Sequence, residues 1–267
     1  MIAVGVRGDI GYDDVGTGMP VLFVHGFPHD RTLWAPQLGA LVQHSRCIAP
    51  DLRGFGESGP WDAGAEASMD AYADDLAALL DALGVGRAVV AGLSMGGYVA
   101  FALWRRHRAR VRALVLCDTR PGPDDEAVRE RRRALVALAR TRGSGAVADA
   151  MMPGMVGKSS RARCPDLVED VRTMLARAPA DGVARALEAM MARPDSTGLL
   201  ASIDVPTLVV VGEEDVLTPP AEARAMHAAI AGSTLAVIEG AGHVSNLERP
   251  AAFNYLAGEF LGRVSYA

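Results

Sequence analysis

The sequence predicts an α/β fold, with a mostly parallel central sheet flanked by helices and interrupted by one all-helical insertion. Three observations carry that expectation. Short apolar runs bounded by breakers alternate with amphipathic stretches of helical spacing, the pattern of βαβ units whose strands are buried on both faces. The alternation stops after Asp118 and resumes at Thr207. Between about Arg120 and Pro194 there is helical periodicity and no strand candidate.

Taken in order, residues 21–24 form an apolar strand ended by the breaker cluster His25-Gly26-Phe27-Pro28. Residues 34–42 read as a helix with Trp34, Leu38, Leu41 and Val42 on one face. A short strand at 47–49 runs into Pro50 and the glycine-rich loop 51–59. Ser68 is placed to cap a helix carrying Tyr72, Leu76, Leu79, Leu80 and Leu83, and Gly84 stops it. Strands at 88–91 and 113–117 flank a helix at 95–106. The insertion offers helices at 124–141, 146–152, 167–176 and 182–192. Beyond it come a strand at 207–211, a helix at 220–230, a strand at 235–238 and a last helix at 251–261. The expected organisation is a core of residues 1–119 and 196–267 with a helical cap of residues 120–195. A block inserted there would cover the C-terminal ends of the strands, where open α/β sheets bind ligands.

With 267 residues, half of them hydrophobic, and a formal net charge of -5, the chain can bury a full core and is not disordered. The acidic balance argues against a nucleic-acid partner, which needs a basic face. Cys47, Cys117 and Cys164 show no CxxC spacing, so neither a zinc site nor a disulfide framework is expected. Each reads as a small apolar residue in a reducing compartment. Residues 1–14 lack the basic start and apolar stretch of a signal peptide, and no segment reaches the ~20 apolar residues of a membrane span. The expectation is a cytosolic protein with no membrane partner.

Chemistry concentrates at Gly92-Leu93-Ser94-Met95-Gly96, set between a predicted strand and a predicted helix. This is the G-x-S-x-G nucleophile elbow in the context it requires. Glycines flank the serine because so sharp a turn leaves no room for side chains, and the helix N-terminus favours developing negative charge. A serine hydroxyl needs a base to take its proton. His243, in Glu239-Gly240-Ala241-Gly242-His243, follows a strand and is flanked by glycine. A carboxylate must in turn orient the histidine. Asp215, just after the strand at 207–211, is the first candidate, with Glu213, Glu214 and Asp118 as competitors. Asp118 also follows a strand end. The N–H of Met95, the residue after the serine, would be one oxyanion donor.

The chain resembles the α/β-hydrolase superfamily from about Val21 to Leu261. The resemblance rests on His25-Gly26-Phe27, Asp51-Leu52-Arg53-Gly54-Phe55-Gly56-Glu57-Ser58, Gly92-Leu93-Ser94-Met95-Gly96-Gly97, Gly212-Glu213-Glu214-Asp215 and Gly240-Ala241-Gly242-His243, in that order. It is closest in look to small esterases, enol-lactonases and cofactor-free haloperoxidase or perhydrolase relatives. The resemblance implies a catalytic triad of Ser94, Asp215 and His243, a second oxyanion donor at the N–H of Phe27, and a cap over the site. It also implies hydrolysis of a small-molecule carboxylic ester or lactone through an acyl-enzyme, with no metal or cofactor. Perhydrolysis or carbon–carbon bond hydrolysis on the same triad remain alternatives, as does a ligand-binding signalling protein of the same fold. Haloalkane dehalogenation is disfavoured because its nucleophile is an aspartate. Oligomeric state is left open.

Other residues take plainer expectations. His25 resembles the family's loop-supporting histidine. His29 stands near enough in sequence to face a pocket but equally fits an exposed loop histidine, while His44, His107 and His227 read as solvated. Glu57 and Ser58 are expected to tie down a turn. Met151, Met152, Met155, Met174, Met190 and Met191 serve either cap packing or an adaptable apolar site. The run Arg129-Glu130-Arg131-Arg132-Arg133 reads as a solvated helix face. Between Arg120 and Asp195, fourteen basic residues face eleven acidic ones, so the insertion carries +3 and the remainder -8. That split leaves room for an anionic substrate.

Overall fold

A computed structural model describes residues 1–5 and 8–265. Its strands are β1 (Ile2–Gly5), β2 (Gly8–Val15), β3 (Met19–Val24), β4 (Ser45–Pro50), β5 (Ala88–Leu93), β6 (Val111–Cys117), β7 (Thr207–Gly212) and β8 (Thr234–Ile238). They lie side by side in the order β1-β2-β4-β3-β5-β6-β7-β8. Pairing is parallel from β4 to β8, and antiparallel only where β1 meets β2 and β2 meets β4. From β3 the chain runs outward to β4 and then crosses back to β5. The switch point therefore falls between the C-terminal ends of β3 and β5, where an open sheet leaves a crevice.

Side chains alternate across the sheet. Leu22 and Val24 of β3, Val90 of β5, Leu114 and Leu116 of β6 and Val209 and Val211 of β7 enter one core. Val21, Phe23, Val89, Ala91, Val115, Cys117, Leu208 and Val210 enter the other. The first core is closed by α2 (Met69–Ala82), α3 (Met95–His107) and α8 (Pro220–Ala229). The second is closed by α1 (Ala35–Leu41) and α10 (Pro250–Ser265). Burial on both faces explains why these strands read as continuous apolar runs. Ser68 caps α2 as expected, accepting from the Ala71 N–H at 3.1 Å.

Between β6 and β7 lie α4 (Glu126–Met155), α5 (Lys158–Arg163), α6 (Pro165–Ala176) and α7 (Ala180–Ala192). The two helices expected at 124–141 and 146–152 are the arms of α4, which breaks at Gly143 with φ 77°. Several polar ties hold this block to loops at the C-terminal edge of the sheet, among them the following. Arg177 grips Asp30 with two 2.7 Å bonds. The N–H and hydroxyl of Ser159 donate to Glu214 at 2.8 and 2.6 Å. The Gly157 N–H donates to Glu248, in the short helix α9 (Ser245–Glu248), at 3.0 Å. Cys47 and Cys117 are buried apolar residues as expected, but Cys164, at the junction of α5 and α6, is exposed.

One buried ion pair supports the loop after β4. The Arg53 guanidinium donates twice to Asp75 of α2, at 2.9 and 2.8 Å, and both side chains are almost wholly out of water. Removing Asp75 would take away the carboxylate that offsets the burial of the Arg53 guanidinium. Asp75→Ala is therefore expected to lower unfolding stability by about 3–5 kcal/mol, read as a fall in the urea midpoint. A shift below about 1 kcal/mol, the range of an exposed pair, would show that the site relaxes or hydrates.

Candidate active site

Ser94 follows β5 directly and is the residue before α3, with φ 54° and ψ -113°. So strained a backbone is tolerated only where its surroundings over-determine it. The glycines around it do that. A Cβ on Gly92 would meet the Gly96 carbonyl oxygen at 2.3 Å, and one on Gly96 would meet that of Val24 at 2.2 Å. The elbow thus closes against both itself and β3, holding the Ser94 hydroxyl at the switch point.

The histidine and the acid arrive from other strands. His243 follows β8, and its Nε2 lies 2.9 Å from the Ser94 Oγ. Its Nδ1 lies 2.8 Å from Oδ2 of Asp215, in the loop after β7. The other Asp215 oxygen, Oδ1, accepts the N–H groups of Leu217 and Thr218 at 2.8 and 3.0 Å. Thr218 also donates its hydroxyl to Oδ2 at 2.6 Å. Burial works to raise the Asp215 carboxyl, but the charge and hydrogen bond of His243, with the Thr218 contacts, hold it below the usual carboxylate range. Burial likewise works to depress His243, yet the charge and hydrogen bond of Asp215, with Asp118 and Glu248 nearby, hold it above its ordinary value. The sequence-predicted Ser94, His243 and Asp215 are therefore brought into one hydrogen-bonded chain.

Asp118 is differently engaged. It stands at the end of β6 with φ 45°, fully buried. Its Oδ1 accepts the Gly212 N–H at 2.8 Å, and its Oδ2 accepts the Ser245 hydroxyl at 2.5 Å. Burial and then the neighbouring charge of Asp215 push its carboxyl well above the ordinary range. It ties β7 to α9 behind the histidine and makes no hydrogen bond to it among the described residues. Glu214 binds Ser159, and Glu213 accepts the Gly240 N–H at 3.1 Å.

Met95 opens α3, so its N–H has no intrahelical acceptor and borders Ser94. Phe27, in the loop after β3, lines the same cavity as Ser94 and His243. His25 supports that loop, its Nδ1 meeting the Gly26 carbonyl at 2.9 Å and its Nε2 accepting the Leu52 N–H at 2.9 Å. Ser58 donates to the Asp51 carbonyl at 2.6 Å and Glu57 pairs with Arg31, so both tie down the turn as expected.

Some expectations need correcting. His29 is not an exposed loop residue but 1% accessible, and burial pushes its pKa down to about 3, so it stays neutral. His107 is half-buried and hydrogen-bonded to Asp74 at 2.7 Å, whereas His44 and His227 are exposed as expected. Glu248 was not singled out from the sequence. It accepts the Gly242 N–H at 2.8 Å besides that of Gly157, so one carboxylate sets the backbone before His243 and anchors α5. Its partners are distant in sequence, and no local signal marks it.

The site opens into a cavity of about 840 Å³, within the usual ~300–1,000 Å³ range for small-molecule sites. Leu135, Leu138, Met151, Met155 and Met190 give it an apolar wall from α4 and α7. Three of the six methionines thus face the cavity, while Met152, Met174 and Met191 pack against the cores. The charge run is not a simple solvated face, because Arg131 and Arg132 also line the cavity, with Arg120.

Residues 21–254 match the alpha/beta hydrolase family. The chain is similar to a thermophilic esterase from Thermogutta terrifontis, solved with malate bound, at a TM-score of 0.95 and 43% identity, over 99% of this chain and 98% of that one. It is 32% identical to the 2-hydroxymuconate semialdehyde hydrolase of Pseudomonas sp. (strain CF600), over 100% of this chain and 94% of the relative. It is 30% identical to 3-oxoadipate enol-lactonase 2 of Acinetobacter baylyi (strain ATCC 33305 / BD413 / ADP1), over 88% of this chain and 85% of the relative. Among the described residues, no helix is long and apolar enough to cross a membrane.

Proposed function

The chain belongs to the alpha/beta hydrolase family, and from that premise we propose that this hydrolase cleaves a small carboxylic ester or lactone through an acyl-enzyme on Ser94. The observation that carries the proposal is the Ser94–His243–Asp215 chain, with links of 2.9 and 2.8 Å, opening into an apolar cavity. The esterase and enol-lactonase similarities support the substrate class.

In the proposed reaction Ser94 Oγ attacks the carbonyl carbon while its proton passes to Nε2 of His243. Asp215 keeps Nδ1–H pointed at itself and stabilises the imidazolium. The N–H groups of Met95 and Phe27 face the tetrahedral oxyanion, each such donor supplying about 3–4 kcal/mol. As the carbon–oxygen bond breaks, His243 returns the proton to the leaving alcohol. Water then attacks the acyl-serine with His243 again as base, releasing the carboxylic acid and restoring the Ser94 hydroxyl. With a lactone, alcohol and acid leave as one molecule. Residues 120–195 act as the cap that shapes the substrate cavity.

Covalent trapping tests this directly. A fluorophosphonate is expected to abolish hydrolysis of p-nitrophenyl butyrate and to leave one phosphonyl group per chain, located on Ser94 by peptide mass. Label on a different residue, or ester hydrolysis that survives complete labelling of Ser94, would overturn the assignment.

A further inference from the structure

We propose that Arg120, Arg131 and Arg132 form a carboxylate-recognition wall in this cavity, so that the preferred substrate is an ester or lactone carrying a second, anionic group. A hemiester of a dicarboxylic acid is the simplest example. The proposal rests on the acyl-enzyme reading of Ser94 and goes beyond it in naming the charge of the substrate.

The charges around the cavity do not balance. Three guanidiniums line the volume that Ser94 and His243 also line, and none of its described lining residues is an Asp or Glu. The nearest compensation is Asp124, a single carboxylate shared by Arg120 at 2.8 Å, Arg132 at 2.7 Å and Arg193 at 2.8 Å. Burial works to raise the Asp124 carboxyl, but the bonds and charges of Arg132 and Arg193 outweigh it and hold it below the usual range. Asp124 is therefore a fixed single charge among three cations. Arg193 is otherwise occupied, donating to the carbonyls of Met190 and Gly122 and lying 4.1 Å over the Tyr98 ring.

Arg131 adds a further cation. The acids on the outer side of α4, Glu126 and Glu130, are taken by Arg133 at 2.7 and 2.9 Å. Among the described residues Arg131 has no carboxylate partner, and its side chain borders the cavity. Arg120 borders Tyr98 and Asp124, and its Nε–H is buried with no hydrogen-bond partner among the described residues. An excess of donors without acceptors on one wall of an otherwise apolar cavity is the complement of a carboxylate. Guanidinium–carboxylate bonds are charge-assisted, and low-dielectric walls focus the field onto the entering anion. A neutral ester would leave these donors unmatched.

The test uses matched pairs differing in one charge: mono-p-nitrophenyl glutarate against p-nitrophenyl pentanoate, and para-acetoxybenzoate against phenyl acetate. These place the carboxylate on the acyl and the alcohol side respectively. In at least one pair, kcat/KM for the anionic member is expected to exceed the neutral one by about tenfold or more at low salt. That ratio should collapse towards unity at high salt. Arg131→Gln should reduce the ratio by a similar factor, chiefly through KM, and Arg131→Lys should restore part of it. Arg131 is exposed and bonded to nothing else described, so the variant is expected to fold.

Calorimetry with Ser94→Ala, which cannot form an acyl-enzyme, separates this site from the chemistry. Glutarate should bind that protein and glutaramide should not, and adding Arg131→Gln should remove the difference. Such binding would support the wall even if the wild-type protein hydrolysed no ester. Hydrolysis of neutral esters with no preference for the anionic members, and no glutarate binding, would overturn the wall and leave the Ser94 assignment standing.

Discussion

Replacing His243 by alanine is expected to lower kcat/KM for a p-nitrophenyl ester by ~10⁴–10⁶-fold, and Ser94→Ala by a similar factor. The double variant should be no worse than either single one. In the proposed mechanism both residues serve one event, the movement of a proton from Ser94 Oγ to His243 Nε2 across 2.9 Å, so removing either removes all of it. The residual rate over water would come from oxyanion donors and binding, which neither substitution touches. Ser94→Ala is a clean change, because alanine and serine pay the same backbone strain at φ 54° and the Ser94 hydroxyl caps no helix. Far-ultraviolet circular dichroism should match the wild type in each variant. Retention of activity within tenfold in His243→Ala would show that another base serves Ser94. His29 is no ready substitute, because its buried ring nitrogens have no hydrogen-bond partner among the described residues, whereas His243 Nε2 lies 2.9 Å from Ser94 Oγ.

What the sequence revealed of this site, and what it hid, follows from how local each feature is. The strands around residues 21–24, 88–91 and 207–211 were legible because burial on both faces writes itself as an unbroken apolar run. Ser94 was legible because its strain demands glycine at neighbouring positions. The break in α4 at Gly143 was legible too, as the gap between two helical patterns. By contrast β1 and β2 were missed, because β2 carries Asp9, Gly11, Asp13 and Asp14 and only three of its eight residues are buried. The short helix α5, Lys-Ser-Ser-Arg-Ala-Arg, has no apolar stripe and is held by Glu214 and Glu248 instead. Arg131 and Arg132 were misread for a physical reason. A charged helix face that borders a substrate cavity has the same composition as one that borders water, and only the neighbouring elements tell them apart. His29 fails for the same reason, since its burial is decided by elements remote in sequence.

Asp215→Asn is expected to reduce kcat/KM by ~10⁴-fold while Asp118→Asn costs less than about tenfold. The contrast lies in which oxygen each neighbour holds. At Asp215, Oδ1 accepts two backbone N–H groups, so an asparagine there must keep its oxygen on that side. Its NH₂ would then face His243 Nδ1, donating where Asp215 accepts. The ring would carry its proton on Nε2 and present a donor, not a base, to Ser94. At Asp118, an asparagine oxygen can still accept the Gly212 N–H, and its NH₂ can donate to the Ser245 hydroxyl, so both contacts survive. Asparagine also suits the backbone there, being at home near φ 45°. The pH profiles should separate as well. His243 must be neutral to accept the serine proton, so kcat/KM falls as pH drops through its pKa. Because Asp215 holds that pKa above the ordinary ~6.5, the wild-type acid limb should have its midpoint above that value. Asp215→Asn removes the largest force raising it, and the residual activity should titrate at lower pH. Were Asp118→Asn the inactive variant and Asp215→Asn the active one, the hydrogen bond at 2.8 Å would not be the one that matters, and the acid would have to be reassigned to β6.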